Sequence, residues 1–553
     1  MICKQCNTLN ESGDKFCFKC GAPLISENAI PVIKPEVKKS VTSSILNFEH
    51  IKNNSKKIYE KHKKMFVVGL SLLLIIFVVL PLLGNLLSSG GYEFVKGSVL
   101  VKYDSQGYPS AVVSDEKVIE LDDDDYNVKV SFSGTVAAYL SSYGEEGSDL
   151  VVISKGEDHE IDDEVMSFKM SYDGSKIIYV KSTGSYNNGD LYSYDVSSKK
   201  SDKIDEDVYK NYIALSPNGK SIMYLGDVDE DDYVDEDCTA YLSVNGNTPK
   251  EVRDNFIPVA ITDKGKLQYG FEFDDSLTYD GEFMVYKGKK ATELDAKYDE
   301  IQKLSFSADM NEVMYSLDSE TRISENAKES VKVSKESYVS IITPYDTKFD
   351  YFLDYYFSVY VFGIDSFKNK VLYGQDLTYI DRKYDTHKIA KDIYSVAISK
   401  NGKELIALDD KNNLERIDIN KGKSKTKEIA DDVYTFEVSN DLKHVYFIDE
   451  DENLNYIKGN SKAKKVEKDV NHFTVYKNIA YIISDSDADG GTLSISKSGR
   501  EPKEIKEADD QAYEFFGYDE DVYVVLKQDD MSMDLYKISA SGKIKRVSKD
   551  LDL

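Results

Sequence analysis

The stretch Leu215-Ser216-Pro217-Asn218-Gly219-Lys220-Ser221-Ile222-Met223-Tyr224 decides the fold, because the chain writes it repeatedly. Aligned on the hydroxyl residue, it returns as Ser131-Phe-Ser-Gly-Thr-Val-Ala-Ala-Tyr139 and as Ser171-Tyr-Asp-Gly-Ser-Lys-Ile-Ile-Tyr179. Weaker copies start at Thr262, Ser307, Ser399 and Ser439. The successive intervals are 40, 45, 46, 45, 92 and 40 residues. The long one is two periods, so a degraded copy is expected near 350–360. In the stronger copies Asn-Gly or Asp-Gly suits a tight hairpin, and the flanking Val, Ile and Tyr residues are strand formers. Between copies comes a second element, such as Asp190-Leu-Tyr-Ser-Tyr-Asp195 or Asp534-Leu-Tyr-Lys-Ile538. Two further strand pairs lie around Val475–Ile483 and Val522–Leu526. Each unit is thus a hairpin followed by another strand or two.

A period of 40–46 residues with several short strands per unit marks a β-propeller blade. Residues 92–553 carry no long helical periodicity, so the expected fold is mainly β: a propeller of about 7–10 such units. A β-solenoid or a β-sandwich array is the alternative for this pattern. Propellers usually have about four to eight blades, so either some units are insertions or there are two rings. Residues 320–395, where the repeat fades, are the expected insertion or boundary. The phrase 215–224 resembles the WD40-like repeat of TolB-type propellers, whose consensus runs Ser-Pro-Asp-Gly-Lys-x-Ile. Ser216, Gly219, Lys220 and Tyr224 match it, Asn218 replaces the usual Asp, and the other copies keep two or three of these positions.

Charge and hydropathy divide the chain ahead of these repeats. The 553 residues have a net charge of −29, with 99 acidic side chains against 70 lysines and arginines. Residues 1–64 are basic (+6), no charge occurs from Met65 to Tyr92, and the remainder therefore holds −35. A surface that acidic repels a phosphate backbone, so nucleic acid is not an expected partner. Phe66 to Leu87 is a run of 22 uncharged residues, FVVGLSLLLIIFVVLPLLGNLL. As a helix it measures about 33 Å, the thickness of a bilayer core, so residues 65–88 are expected to cross the membrane once. Lys52, Lys56, Lys57, Lys61, Lys63 and Lys64 precede it, in a polar linker over 27–64, and Ser88-Ser-Gly-Gly91 follows. Positive residues stay in the cytoplasm, which puts the amino terminus inside and residues 92–553 outside.

The cysteines agree with that orientation. Cys3, Cys6, Cys17 and Cys20 form two C-x2-C knuckles ten residues apart, leaving Cys238 alone in the rest of the chain. Two such knuckles complete a tetrahedral S4 shell for a structural Zn2+, whose binding folds a segment too short for a core. Thiolate ligands suit the reducing cytoplasm, and redox cysteines or a rubredoxin-like iron site are the alternatives. Phe16-Cys17-x-x-Cys20-Gly21, with Leu24 beyond, resembles the short zinc ribbon at the start of many bacterial membrane proteins. Asn7 stands where that family usually has glycine. The ribbon is assigned to residues 1–26, and a cytoplasmic protein partner for it is left open.

Few residues outside carry chemistry by their spacing. Asp485-Ser-Asp487-Ala-Asp489-Gly490 matches the first half of a calcium loop, although its twelfth position is Ser496 rather than a bidentate Glu. Asp227, Asp229, Asp231, Asp235 and Asp237, like Asp122–Asp125, read as solvated acidic turns. No G-x-S-x-G, H-E-x-x-H or phosphate-binding glycine loop occurs, and His159, His387, His444 and His472 are scattered. The sequence therefore points to a membrane-anchored binding or sensing protein with a peptide, glycan or protein ligand at its outer domain. A propeller-based envelope hydrolase or lyase and a passive calcium-stabilised adhesive domain are the alternatives. A peptide of residues 1–26 is expected to bind Co2+ with the visible absorption of tetrahedral thiolate ligation. Zn2+ should bleach that absorption, and Cys17→Ser should abolish it; an unchanged spectrum in Cys17→Ser would contradict the four-cysteine shell.

Overall fold

The chain divides into two compact units, Met1–Leu87 and Ser88–Leu553. A computed structural model describes residues 92–551 apart from short stretches, the longest being 104–108, 229–237, 274–280, 343–347 and 353–357. Cys3, Cys6, Cys17, Cys20, the apolar run 66–87 and Asp489 lie outside the described residues. Among those residues nearly everything ordered is β-strand, in antiparallel sheets.

The sheets resolve into a succession of four-stranded meanders, each with its strands in the spatial order in which the chain makes them. They cover residues 92–120, 126–162, 165–209, 214–254, 256–297, 303–334, 340–390, 393–430, 433–467, 470–504 and 512–551. Neighbours can merge: the long strand Glu157–Met170 is the fourth strand of the second unit and the first strand of the third.

The serine phrase is the first turn of the unit, and its hydrogen bonds explain why it recurs. Ser216 is fully buried, and its Oγ accepts the Ser221 backbone N–H at 2.9 Å. The Gly219 N–H donates to the Ser216 carbonyl at 2.9 Å, and the Ser216 N–H donates to the Ser221 carbonyl at 2.9 Å. The same hydroxyl contact recurs from Lys176 to Ser171, Leu267 to Thr262, Glu312 to Ser307, Glu404 to Ser399 and His444 to Ser439, all at 3.0 Å. A carboxylate or amide two residues on completes the turn: Asp173 Oδ1 accepts from the Ser171 hydroxyl at 2.8 Å and from the Ser175 N–H at 2.9 Å. The fourth residue of the turn is left-handed, with φ of 69° at Gly219 and 73° at Gly174. Glycine adopts that conformation without cost, but Met310 (55°) and Leu442 (53°) do so in their units.

The count of units exceeds the 7–10 expected, because eleven are present among the described residues. Four of them carry no serine turn between their first two strands, those starting at 92, 340, 470 and 512. In the unit starting at 340 the turn is replaced by an insertion. Its first strand, Ser340–Ile342, pairs with Lys370–Tyr373. The intervening chain leaves to form the hairpin Lys348–Phe352 and Ser358–Phe362, whose second strand runs parallel to Lys303–Phe306 of the preceding unit.

Burial grades across each unit. Second strands are buried on both faces, as in Val445–Ile448 and Leu405–Leu408, whereas fourth strands such as Lys423–Ala430 are mostly exposed and charged. Both faces are covered because each unit packs on two neighbours. Ile406 and Leu408 meet Val433 and Phe447 of the next unit, and Tyr446 and Ile448 meet Ala480 and Ile482 of the one after. The series also closes: Val113 of the first unit packs with Tyr523, Val525 and Leu535 of the last. Tyrosines near the end of the phrase add polar links. Tyr179 Oη donates to Asp162 Oδ2 of the preceding unit at 2.8 Å, and Tyr446 Oη accepts the Gly499 N–H of the following unit at 2.9 Å.

Ser216→Ala should cost about 1–3 kcal/mol, because it strands the buried Ser221 N–H without its acceptor. Ser216→Thr should cost little, since Thr262 does the same work in its own unit. The shift in denaturant midpoint for the two variants checks this; equal losses would point to side-chain volume instead.

Candidate binding face

Meander topology gives the molecule two chemically different ends. The turns joining first to second and third to fourth strands lie at one end. The turns joining second to third strands, and the crossovers between units, lie at the other. Hydrogen bonds tie this second end together: the Asp410 N–H donates to the Asp392 carbonyl at 2.9 Å, Glu450 N–H to Asp432 at 3.0 Å, and Asp485 N–H to Asp469 at 3.0 Å.

At the crossover end three consecutive units use one device. Asp392, Asp432 and Asp469 are left-handed (φ 52°, 54° and 52°), and each is followed by a buried anchor, Ile393, Val433 or Val470. The next residue is skipped by the ladder: pairing jumps from Ile393 to Ser395, Val433 to Thr435 and Val470 to His472, and in the last unit from Ala512 to Glu514. A bulge of this kind frees one residue from the strand's alternation and re-aims its side chain. The skipped residues are Tyr394, Tyr434, Asn471 and Tyr513, and the three tyrosines are 55%, 57% and 44% exposed. The first strands of the last three units lie beside one another, and the unit of Tyr394 packs on the unit of Tyr434, so these residues follow one arc. Two other exposed tyrosines, Tyr143 and Tyr186, sit in second-to-third turns at the same end. The Lys210 ammonium lies 3.8 Å from the centre of the Tyr186 ring.

Two carboxyls stand on the same first strands. Glu437 accepts the Val475 N–H of the next unit at 2.6 Å, and burial pushes its carboxyl up to about 7. Burial likewise raises Glu514 to about 7.

The structure does not gather the residues singled out by spacing into this arc. Asp485 and Asp487 are exposed and end the strand Ile479–Asp487, where Asp487 pairs with Gly490 across a tight turn. Among the described residues no group of three or more His, Cys, Asp or Glu side chains is placed to hold a metal. Asp227, Asp229, Asp231, Asp235 and Asp237 lie outside the described residues. Cys238 is buried in an apolar cluster with Leu225 and Ala240. His159 and His444 bond tyrosine hydroxyls within the fold, Tyr194 and Tyr456, the latter at 2.6 Å. His387 faces Asp381 at 3.6 Å. Tyr394 and Tyr434 share the phrase Asp-(Val/Ile)-Tyr at 392–394 and 432–434, which Tyr513 lacks and which does not by itself mark an exposed ring. The phrase returns at 207–209, but there Tyr209 is buried.

No family model matches this chain, and no curated protein matches it. Solved structures match it with low TM-scores. TolB from Acinetobacter baumannii matches over 45% of this chain and 65% of its own, with 14% identity and a TM-score of 0.27. A eukaryotic initiation factor matches over 67% and 95%, at 12% identity and 0.32. The GH74 enzyme of Niastella koreensis matches over 83% and 86%, at 10% identity and 0.28. The chain therefore spans slightly under two thirds of the TolB structure. At these scores none of the three bears on what this chain does.

Glu437 offers a direct check of the arc's environment. A folded-state value near 7, against the ordinary 4.5, means the folded form holds its proton longer than the unfolded chain. Stability from this group is present below pH 4.5 and is lost as the pH rises to about 7. Glu437→Gln keeps an acceptor for Val475 and should stabilise the protein by about 1–3 kcal/mol at pH 8, with no gain at pH 4. Chemical denaturation at the two pH values measures it.

Proposed function

We propose that this chain is a membrane-anchored binding or sensing protein whose large unit is a β-propeller presenting its crossover end to a ligand. Three features support the propeller: repeated four-stranded meanders, apolar packing of each unit on the next, and packing of the last on the first. The anchor and its orientation rest on the 22-residue apolar run and the lysines before it. The zinc ribbon rests on four thiolates with the spacing of a closed S4 shell, which is a structural rather than a reactive arrangement.

The observation that carries the binding reading is the row Tyr394, Tyr434 and Tyr513. Many large aromatics of the fold, such as Tyr179, Tyr224 and Tyr446, are fully buried, yet a bulge in the units starting at 393, 433 and 512 leaves these three rings exposed. Exposed tyrosines give rigid contact area with a polar tip, the combination favoured at recognition surfaces. A photo-crosslinking residue placed at position 434 or 513 of the full chain in its native membrane is expected to capture an envelope component. One placed at Lys425, on an exposed fourth strand, should not. Equal capture from both surfaces, or capture from neither, would refute the reading.

A further inference from the structure

We propose that the ligand of the crossover end is a cationic polypeptide segment, held by cation–π stacking on Tyr394, Tyr434 and Tyr513 within a field of carboxylates; this rests on the binding reading above.

The field follows from how the sequence places charge in the meander. In the described residues linking strands at the crossover end there are 17 acidic side chains and 6 basic ones. Linkers at the opposite end, leaving the 343–369 insertion aside, hold 8 acidic and 15 basic. The domain's excess of acid is thus concentrated at the end that bears the tyrosines. Several acids of the opposite end are occupied in their turns, as Asp173, Asp309, Asp381 and Asp441 are with backbone N–H groups. At the crossover end Asp125, Glu300 and Glu336 likewise accept backbone N–H groups, but the acids beside the arc are not required by turn geometry. The left-handed position taken by Asp392, Asp432 and Asp469 is filled by neutral Asn255 in an equivalent crossover (φ 52°).

The chemistry of the contact is already visible at that end. Lys210 donates from Nζ to the Tyr186 carbonyl at 2.7 Å while lying over that residue's ring, so an ammonium fits an exposed tyrosine there. A ligand with several ammonium or guanidinium groups can repeat the contact along the arc and gain from the surrounding carboxylates. A polyanionic glycan or nucleic acid meets like charge instead. A neutral glycan would stack on the rings but draw nothing from the field.

The test uses the full chain in nanodiscs of zwitterionic lipid, with empty nanodiscs as the blank and a lysine octapeptide as the probe. Tyr394→Ala/Tyr434→Ala/Tyr513→Ala changes no charge, so general attraction to an acidic protein is unaffected by it. The proposal expects at least a tenfold loss of octalysine affinity in that variant and near-normal affinity in the triple Tyr→Phe variant, whose rings still stack. It also expects wild-type affinity to fall steeply between 50 and 300 mM salt. Equal affinity in wild type and the alanine variant overturns it, as does binding of a neutral oligosaccharide that octalysine cannot displace. Where the residue at 434 still captures an envelope component and octalysine neither binds nor competes, the binding reading stands and the cationic partner falls. Matching melting temperatures for wild type and both variants confirm that the losses are not unfolding.

Discussion

A buried serine hydroxyl that accepts a backbone N–H five residues on is the contact from which the rest of this structure follows. It closes the first turn of a meander in one geometry, because the hydroxyl, the turn carbonyl and the left-handed fourth residue are fixed together. With the turn fixed, the second strand starts in a constant register and its apolar residues reach both faces of the sheet. A sheet that is apolar on both faces must be covered on both, and the next meander of the same chain supplies the cover. Repetition of a small polar contact thereby becomes a continuous apolar core that runs from unit to unit and returns to the first.

That contact also sets how much could be read from sequence. Seven units carry the serine or threonine, and all seven are visible in the primary structure, including those where Met310 and Leu442 replace the glycine. The units starting at 92, 470 and 512 lack the serine phrase in their sequence, so only their strand composition marks them. In the unit starting at 340 the insertion pulls first and second strands apart in sequence by nearly thirty residues. Pattern reading sees only neighbours along the chain, and the pairing of Ile341 with Leu372 is not of that kind. The acidic turns were legible as acidic, but which end of the fold each occupies depends on strand direction.

The exposed tyrosine arc is the least legible part, for a physical reason. A bulge is a one-residue slip of register, and nothing in alternation predicts where a strand will skip. Tyr394 and Tyr434 looked like ordinary strand tyrosines among the chain's 41. Only the pairing of their neighbours shows them outside the ladder, and only the shared end of the meanders brings them together with the carboxylates.

Closure of the series is the claim on which both the propeller and its two-ended charge depend. Nitroxide labels attached by non-cysteine chemistry at exposed positions 117 and 545 report it, since they sit on the fourth strands of the first and last units, which approach one another. With those units packed face to face at about 10 Å, pulsed electron resonance should give one narrow distance of about 25 Å or less. A broad distribution centred well beyond that would mean an open row of sheets, and would contradict the account.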